Sequence, residues 1–207
     1  MAAGLDHGDK AAQDAQQAFL KQLRKTFASL PREIPLLLFV QQGKEDVFVD
    51  ACRQVVRAFR GLTDKITLKE YYLDHELADK YKVDSSPTLL IDPKHYNIRW
   101  LGAPMGEEGR SFLEAILLIG NGKSGMGEQS LKVIERLDSP RQVKVFVSPT
   151  CPYCPQQVVN GLKAAIERPE LVSLDIIDIQ CRPDLADQYG AQSVPQAYAN
   201  DVLIGQG

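Results

Sequence analysis

Apolar residues in this chain fall into short runs and helix-spaced stripes that alternate along the sequence. The mostly apolar segments at 36–41 and 142–148, bounded by turn residues, are predicted to be strands, the first of them buried. Apolar side chains spaced three and four residues apart predict amphipathic helices over residues 9–29, 45–60 and 153–167. This alternation of strands and helices favours an α/β fold with helices on both faces of the sheet.

The rest of the pattern supplies shorter helices and hairpins. A short helix at 74–82 begins with Asp74, an acidic residue suited to capping a helix N-terminus. The other predicted elements are a strand at 65–73, hairpin strands at 86–92 and 96–102, helices at 106–120, 128–138 and 182–189, a strand at 171–179, and a last hairpin that turns at Asn200 and Asp201.

The same unit occurs twice in the sequence. The segment LADKYKVDSSP at 77–87 aligns with LADQYGAQSVP at 185–195. The predicted strands that end at Val40 and Val147 are separated along the chain by the same distance to within one position. Two anchors that agree this closely indicate a tandem repeat, and the small polar segment NGKSGMG at 121–127 is the candidate linker.

The repeat predicts two domains, 1–121 and 122–207. The second unit stops at Gly207, before any helix equivalent to the one at 106–120. That helix is expected to cover apolar sheet surface in the first unit, so the corresponding face of the second unit would be exposed to water. We therefore expect the chain to be a fragment of a protein that continues beyond Gly207.

Composition and charge narrow the function classes. The chain is 44% hydrophobic and 25% charged, which is ordinary for a soluble globular protein. A net charge of −3 argues against a nucleic-acid partner. The N-terminus has no apolar signal segment, and the longest apolar runs are too short to cross a membrane. Only four cysteines are present, so we expect a cytoplasmic protein rather than a disulfide scaffold.

Two of the cysteines form a C-x-x-C motif where a predicted strand runs into a predicted helix. Cys151 lies at the helix start, where free N–H groups and the helix dipole favour a thiolate. Pro152 suits the first helical turn, where its missing N–H costs little. Cys154, three residues on, is placed to attack a mixed disulfide at Cys151. We therefore predict an exposed attacking thiol at Cys151 and a more buried resolving thiol at Cys154.

Two other interpretations of the motif have less support. A zinc site needs further ligands, but Cys52 and Cys181 are isolated and the three histidines are scattered. A purely structural disulfide is unusual in a cytosolic α/β unit. Cys52 lies on an apolar helix stripe and is expected to be packing, and Cys181 is expected to be a partly exposed bystander.

Pro195 provides a second signal, because it opens a strand just before the last hairpin. Its position resembles the cis-proline loop of the thioredoxin fold, which lies against the C-x-x-C motif. There the backbone of Val194 would pair with an extended substrate segment; an ordinary trans proline at a strand start is the alternative. Thr150 and Tyr153 are further candidates beside the pair, Tyr153 as a contact for the partner or as local packing.

The repeat, the C-x-x-C motif and the proline together resemble a tandem thioredoxin-fold protein. Protein disulfide oxidoreductases with two thioredoxin units generally carry a C-x-x-C in each. The N-terminal domain of the alkyl hydroperoxide reductase flavoprotein keeps only the second pair, and this sequence is more similar to it. Cys151 and Cys154 align with Lys44 and Val47 in the first unit, so that pair is absent here. The matching segments are VSPTCPYCPQQVV, GAPMGEEGRSFLEAIL and VPQAYANDVLIGQG.

This resemblance implies an electron-transfer domain. NAD(P)H would reduce FAD in a downstream module, that module's dithiol would reduce Cys151–Cys154, and the pair would reduce a partner disulfide, in that family a peroxiredoxin. A homodimer through the part beyond Gly207 is compatible with this interpretation.

Two departures from the family pattern leave other functions open. CPYC is the glutaredoxin motif, and Val145 stands where thioredoxins carry a buried Asp. A stand-alone glutaredoxin-like or protein disulfide oxidoreductase, or a docking module around the former site near Lys44, are the alternatives.

Overall fold

The structure is a computed structural model, and it describes residues 6–43 and 46–207. The helices within these residues are α1 (Asp6–Ala28), α2 (Val47–Arg60), α3 (Glu76–Tyr81), α4 (Glu108–Asn121), α5 (Glu128–Ile134), α6 (Cys154–Glu167) and α7 (Pro183–Tyr189). The strands are β1 (Ile34–Val40), β2 (Ile66–Tyr72), β3 (Thr88–Ile91), β4 (Asn97–Leu101), β5 (Arg141–Val147), β6 (Val172–Asp178), β7 (Gln196–Ala199) and β8 (Val202–Gln206).

All of these strands lie in one mixed sheet, in the order β2-β1-β3-β4-β6-β5-β7-β8. Strand β1 pairs in parallel with β2 and antiparallel with β3, and β5 makes the same pairings with β6 and β7. Strands β4 and β6 pair in parallel and join the two halves. The predicted α/β class with two similar units is confirmed.

Equivalent elements keep the spacing expected from the repeat. The starts of β1 and β5, Ile34 and Arg141, are as far apart along the chain as the starts of α2 and α6, Val47 and Cys154. The Ser86–Pro87 and Val194–Pro195 peptide bonds are both cis and precede β3 and β7 at matching places. Helix α4 ends at Asn121, next to the expected domain boundary, which stays a prediction.

A buried ion pair lies at the junction between the two halves of the sheet. Arg99 on β4 donates to both carboxylate oxygens of Asp175 on β6, at 2.6 and 2.8 Å. Asp175 is almost fully buried, and Gln142 on β5 donates to it as well at 3.2 Å. Planar guanidinium and carboxylate groups match in two parallel hydrogen bonds, so this pair fixes the register of the strands that meet there.

The hydrophobic core is continuous across both units. Its largest fully buried side chain, Trp100, packs edge-on against Phe112 of α4, with 5.8 Å between ring centroids. Helices α4 and α6 pack against each other. Gly120 of α4 allows a close approach of Leu30, since a Cβ at this glycine would lie 2.8 Å from Leu30 Cδ1.

Helix α5 is shorter than the predicted 128–138, because it ends at Ile134. The guanidinium of Arg168 donates to the main-chain carbonyls of Ile134 and Leu137 at 2.8 and 3.0 Å. These carbonyls would otherwise need helical or solvent partners. Pro140 follows two residues after Asp138 and also disfavours helical backbone before it.

Two helix starts differ from the sequence prediction. Helix α3 is capped by His75, whose Nδ1 accepts from the Leu77 N–H at 3.1 Å, and not by Asp74. A histidine ring nitrogen can accept a hydrogen bond as a carboxylate does, although it is rarely considered as a cap. Helix α2 begins at Val47, and the Asp46 carboxylate accepts from the Phe48 N–H. Lys44, the predicted counterpart of Cys151, lies outside the described residues.

Strand β8 forms one edge of the sheet and exposes its apolar side chains. Val202, Leu203 and Ile204 are 65%, 47% and 60% exposed. Among the described residues, no helix is both long enough and apolar enough to span a bilayer.

Candidate functional site

Cys151 and Cys154 form a disulfide at the carboxyl end of β5, with their Cα atoms 5.5 Å apart. The strand ends in a buried apolar run at Val147, and a turn follows in which the Cys151 N–H donates to the Ser148 carbonyl at 3.0 Å. Helix α6 begins at Cys154. The local sequence therefore brings both cysteines to the junction of a strand with a helix, as predicted.

The Cys151 sulfur faces two main-chain groups. It accepts a hydrogen bond from the Cys154 N–H at 3.1 Å, and it lies 3.7 Å from the Val194 carbonyl oxygen. Cys151 is 8% exposed and Cys154 is fully buried. Cys151 is more exposed than Cys154, as predicted. However, Cys151 is less accessible to solvent than the exposed thiol that the sequence predicted.

The predicted position of Pro152 in the first helical turn is wrong. Because α6 begins three residues after Cys151, Pro152 and Tyr153 lie in the preceding turn, and Pro155 occupies the first helical turn. A proline fits there for the reason given for Pro152, since the first N–H groups of a helix have no intrahelical partner. Cys151 thus approaches the helix start from outside and points its sulfur at the helix amide.

The cis bond predicted at Pro195 is confirmed. Pro195 is buried and half-buried Val194 lies over the Cys151 sulfur, while the Gly207 N–H donates to the Pro195 carbonyl at 3.1 Å. Among the described residues, neither the N–H nor the carbonyl of Val194 forms a backbone hydrogen bond. The Val194 backbone is therefore available to an extended segment from another molecule.

Thr150 and Tyr153 flank the disulfide on the surface. Tyr153 is 73% exposed, so the packing interpretation of its side chain is wrong and the surface position is confirmed. Thr150 is exposed, and its hydroxyl lies 3.3 Å from the Ser148 hydroxyl. The structure therefore brings all seven predicted site residues to one place: Thr150, Cys151, Pro152, Tyr153, Cys154, Val194 and Pro195.

The start of α4 contacts the loop before Cys151 and carries a buried carboxyl that sequence reasoning missed. The Glu107 N–H donates to the Pro149 carbonyl at 2.8 Å, which joins the start of α4 to the loop before Cys151. The next residue, Glu108, is 1% exposed. Its Oε2 accepts from the Ser111 hydroxyl, while its Oε1 has no hydrogen-bond partner. A buried carboxyl with an unpaired oxygen is rare in native structures.

Burial raises the pKa of Glu108 to about 7, since desolvation penalises the charged form. The Ser111 hydrogen bond lowers it, and the charges of Asp178 and Glu107 raise it further. Burial also raises the pKa of Asp178, whose Oδ2 lacks a partner. The sequence signal was ambiguous, because an acidic residue in the first turn of a helix is usually solvated and simply complements the helix dipole.

The other two cysteines lie outside this site. Cys52 is fully buried in the core, as predicted, and burial raises the pKa of its thiol to about 12. Cys181 is partly exposed, as predicted, and desolvation followed by the charge of Asp178 raises its thiol pKa to about 12. Neither thiol ionises near neutral pH. Within the described residues, no group of three or more potential ligand side chains is arranged to hold a metal ion.

Comparisons with known proteins place this geometry in context. Residues 141–207 match the thioredoxin domain family. The chain is 36% identical over 61 residues to a probable thioredoxin of Methanothermobacter thermautotrophicus, covering 30% of this chain and 72% of that protein. It is 27% identical over 146 residues to the F component of alkyl hydroperoxide reductase, AhpF, of Xanthomonas campestris pv. phaseoli, covering 70% of this chain and 26% of that protein.

A solved structure is similar over nearly the whole chain. The NTD_N/C domain of alkylhydroperoxide reductase AhpF from Enterococcus faecalis has a TM-score of 0.79 and 27% identity, and the match covers 92% of this chain and 94% of that one. The chain spans between 26% and 34% of the length of the first curated AhpF relatives that it matches.

Proposed function

Because the chain belongs to the thioredoxin family and is related to the N-terminal domain of alkyl hydroperoxide reductase AhpF, we propose that it relays electrons by thiol–disulfide exchange. In this proposal Cys151 attacks a disulfide of the partner and Cys154 resolves the mixed disulfide. The structure holds the pair in its oxidised form, which is the form that accepts electrons.

The observation that carries the proposal is the position of the Cys151 sulfur. It accepts the Cys154 N–H at the start of a helix of 14 residues. After reduction, a thiolate at Cys151 would keep this hydrogen bond and face the positive end of the helix dipole. Both effects lower the pKa of a thiol, and the thiolate is the nucleophile in disulfide exchange.

The exchange balances as two successive substitutions at sulfur. Two electrons and two protons first convert the Cys151–Cys154 disulfide into two thiols. The Cys151 thiolate then attacks one sulfur of the partner disulfide, forming a mixed disulfide and releasing a partner thiolate. Cys154, once deprotonated, attacks the Cys151 sulfur, which restores the original disulfide and releases the second partner thiol.

Glu108 is proposed as the group that handles the proton of the buried thiol. With a pKa raised to about 7 by burial, it can accept a proton near neutral pH, unlike an ordinary carboxylate. The hydrogen bond from Glu107 to Pro149 ties its helix to the loop before Cys151. Val145, where thioredoxins carry an acid, has no titratable group, so the acid here comes from the first unit.

The partner is proposed to bind across the disulfide opening. An extended segment would pair with the free backbone of Val194 beside the buried ring of Pro195, and Tyr153 and Thr150 would contact the flanking residues. The relationship to AhpF supports a flavin module, fused or separate, as the electron donor, with FAD and NAD(P)H as its cofactors. A peroxiredoxin is the proposed acceptor.

Stopped-flow kinetics would test this relay. The disulfide is mixed with an NAD(P)H-reduced flavin module of an AhpF relative, or with glutathione at a matched thiol concentration. We expect faster reduction by the flavin module and transfer from the reduced chain to a peroxiredoxin disulfide. Efficient turnover with glutathione alone would instead favour a stand-alone glutaredoxin-like enzyme.

Variants separate chemistry from docking. The Cys151→Ser, Cys154→Ser double variant should lose all electron transfer, while Cys181→Ser, the matched control, should retain it because the Cys181 thiol is not ionised near neutral pH. Full function of the double variant in a peroxide-reduction assay would overturn the proposal in favour of a docking module.

A further inference from the structure

A cavity of about 360 Å³ lies at the opposite end of the strands from the disulfide. Its walls come from the end of α3, the turn between β3 and β4, and Pro169 of the second unit. Asn97 lies at the start of β4, and Pro169 precedes the start of β6. Strands β4, β5 and β6 run in parallel. Their starts therefore lie at one end of the sheet, and Cys151, which follows β5, lies at the other end.

All charged side chains that line this cavity are cationic. They are those of Lys80, Lys82, Lys94 and Arg99, while the ring of His95, also in the lining, is hydrogen-bonded to the Asp92 carboxylate at 2.8 Å. The whole chain carries a net charge of −3, so this positively charged cluster is opposite in sign to the net charge of the chain. Concave sites lined by one sign of charge concentrate ligands of the opposite sign.

The three lysines are free to bind a ligand, whereas Arg99 is already neutralised by Asp175. In the part of the chain that the structure describes, Lys80, Lys82 and Lys94 form no ion pair with a carboxylate. All three are exposed at the rim, and the Lys80 ammonium lies 5.4 Å from the centre of the Tyr81 ring. The rim therefore carries three uncompensated ammonium groups.

The frame that holds these lysines is fixed by hydrogen bonds. Arg99, anchored on Asp175, donates its Nη1 to the Lys82 carbonyl at 3.1 Å and so holds the end of α3 over the cavity. Across from it, the His95 N–H donates to the Asp92 carbonyl at 3.0 Å and closes the turn that carries Lys94. A fixed frame reduces the conformational entropy lost when a ligand binds.

We propose that this cavity binds a small molecule that carries a diphosphate group. Phosphate oxygens match lysine ammonium groups in charge-assisted hydrogen bonds. The lining also includes the half-buried side chains of Tyr81 and Pro93, which offer apolar surface to an uncharged portion attached to the diphosphate. The volume lies within the range of about 300–1,000 Å³ typical of small-molecule sites, which favours such a ligand over a segment of an acidic protein.

Isothermal titration calorimetry of the whole chain tests the site, with inorganic pyrophosphate, ADP and a hexaglutamate peptide as separate titrants. The test variant combines Lys80→Gln, Lys82→Gln and Lys94→Gln. The matched control combines Lys69→Gln, Lys123→Gln and Lys132→Gln, three exposed lysines outside the cavity with the same total change in charge.

We expect pyrophosphate and ADP to bind the natural chain and to bind the cavity variant at least about tenfold more weakly, since a single charge-assisted hydrogen bond accounts for about that factor. The control should weaken binding less than about twofold, because exposed charges act weakly at a distance. Tighter binding of ADP than of pyrophosphate would show that the apolar surface of Tyr81 and Pro93 contributes. Reduction of Cys151–Cys154 by dithiothreitol should be equal in both variants.

Three results would contradict the proposal that this cavity binds a diphosphate group. They are the absence of binding at millimolar pyrophosphate and ADP, equal weakening in the cavity and control variants, and tighter binding of hexaglutamate than of either phosphate compound. The last result would identify the cavity as a docking point for an acidic protein segment. None of these results bears on the electron relay, so the two proposals fail independently.

Discussion

The main-chain N–H of Glu107 donates a hydrogen bond to the carbonyl of Pro149, two residues before Cys151. One unit of the repeat therefore supports the redox loop of the other. The same contact joins the start of α4, which carries the buried carboxyl of Glu108, to a unit that has only Val145 at the position where thioredoxins carry an acid. The unit that lacks a C-x-x-C motif thus takes part in building the site.

Gly106→Ala tests this support directly. Gly106 has a φ of +60°, and a Cβ there would lie only 2.2 Å from the Pro149 carbonyl oxygen. The left-handed backbone and the clash together should lower the free energy of unfolding by about 2–4 kcal/mol, and the loop shift should slow reduction of the disulfide. Chemical denaturation and dithiothreitol kinetics measure the two effects.

Gly109→Ala is the matched control for that variant, since a Cβ at Gly109 in α4 meets nothing within 4 Å. It should leave the reduction rate unchanged and raise stability by up to about 1 kcal/mol, because alanine is the better helix former. Equal effects of the two variants would show that the contact with Pro149 does not support the loop.

Glu108→Gln should change the dependence of stability on pH. The pKa of Glu108 is about 7 in the folded chain and 4.5 without burial, so the folded state holds the proton more tightly. Its contribution to stability is therefore complete below about pH 4.5 and is lost as pH rises through about 7, by at most about 3 kcal/mol. The variant should flatten this fall in urea unfolding curves of the oxidised chain between pH 5 and pH 8.5.

The Glu33→Gln change serves as its control, because Glu33 is exposed and is not among the groups that shift the pKa of Glu108. A residual slope from Asp178, whose pKa is also raised by burial, should remain in both variants. If Glu108→Gln keeps the full slope of the natural chain, Glu108 does not titrate in this range.

Single cysteine variants should trap partners differently. Cys154→Ser leaves Cys151 able to attack but removes the resolving thiol. The mixed disulfide between Cys151 and the partner should therefore accumulate. In Cys151→Ser the remaining Cys154 is fully buried, so little adduct should form. Non-reducing gel electrophoresis and mass spectrometry with a peroxiredoxin disulfide measure the yields. A higher yield with Cys151→Ser would reverse the assigned roles.

Arg99→Leu should destabilise the junction between the halves by about 3–5 kcal/mol, because it leaves the Asp175 carboxylate buried without its ion-pair partner. The double variant Arg99→Leu, Asp175→Leu should recover much of this loss, since both charges are then removed. Asp184→Asn, in a pair whose carboxylate side chain is 62% exposed, should cost less than about 1 kcal/mol. Additive effects of Arg99→Leu and Asp175→Leu would show that the pair is not coupled.

Local patterns were sufficient for the elements and for the disulfide. The mostly apolar segments at 36–41 and 142–148 became β1 and β5 within two residues at each end, because short apolar segments bounded by turn residues favour strands buried in a sheet. Errors arose where a side chain from elsewhere completes a local structure, as when Arg168 takes the carbonyls that end α5. His75 as the α3 cap was missed because caps are expected from Asp, Asn, Ser or Thr.

The sequence by itself determined the repeat, the strand–turn–helix setting of Cys151 and Cys154, and the proline loop beside them. Each of these depends on residues near one another in the chain or on a repeat visible in it. Only the tertiary structure decided that β4 pairs with β6, and so that the start of α4 meets the redox loop. The pKa of Glu108 follows from that packing, since desolvation depends on what surrounds a group in space and not on its neighbours in sequence.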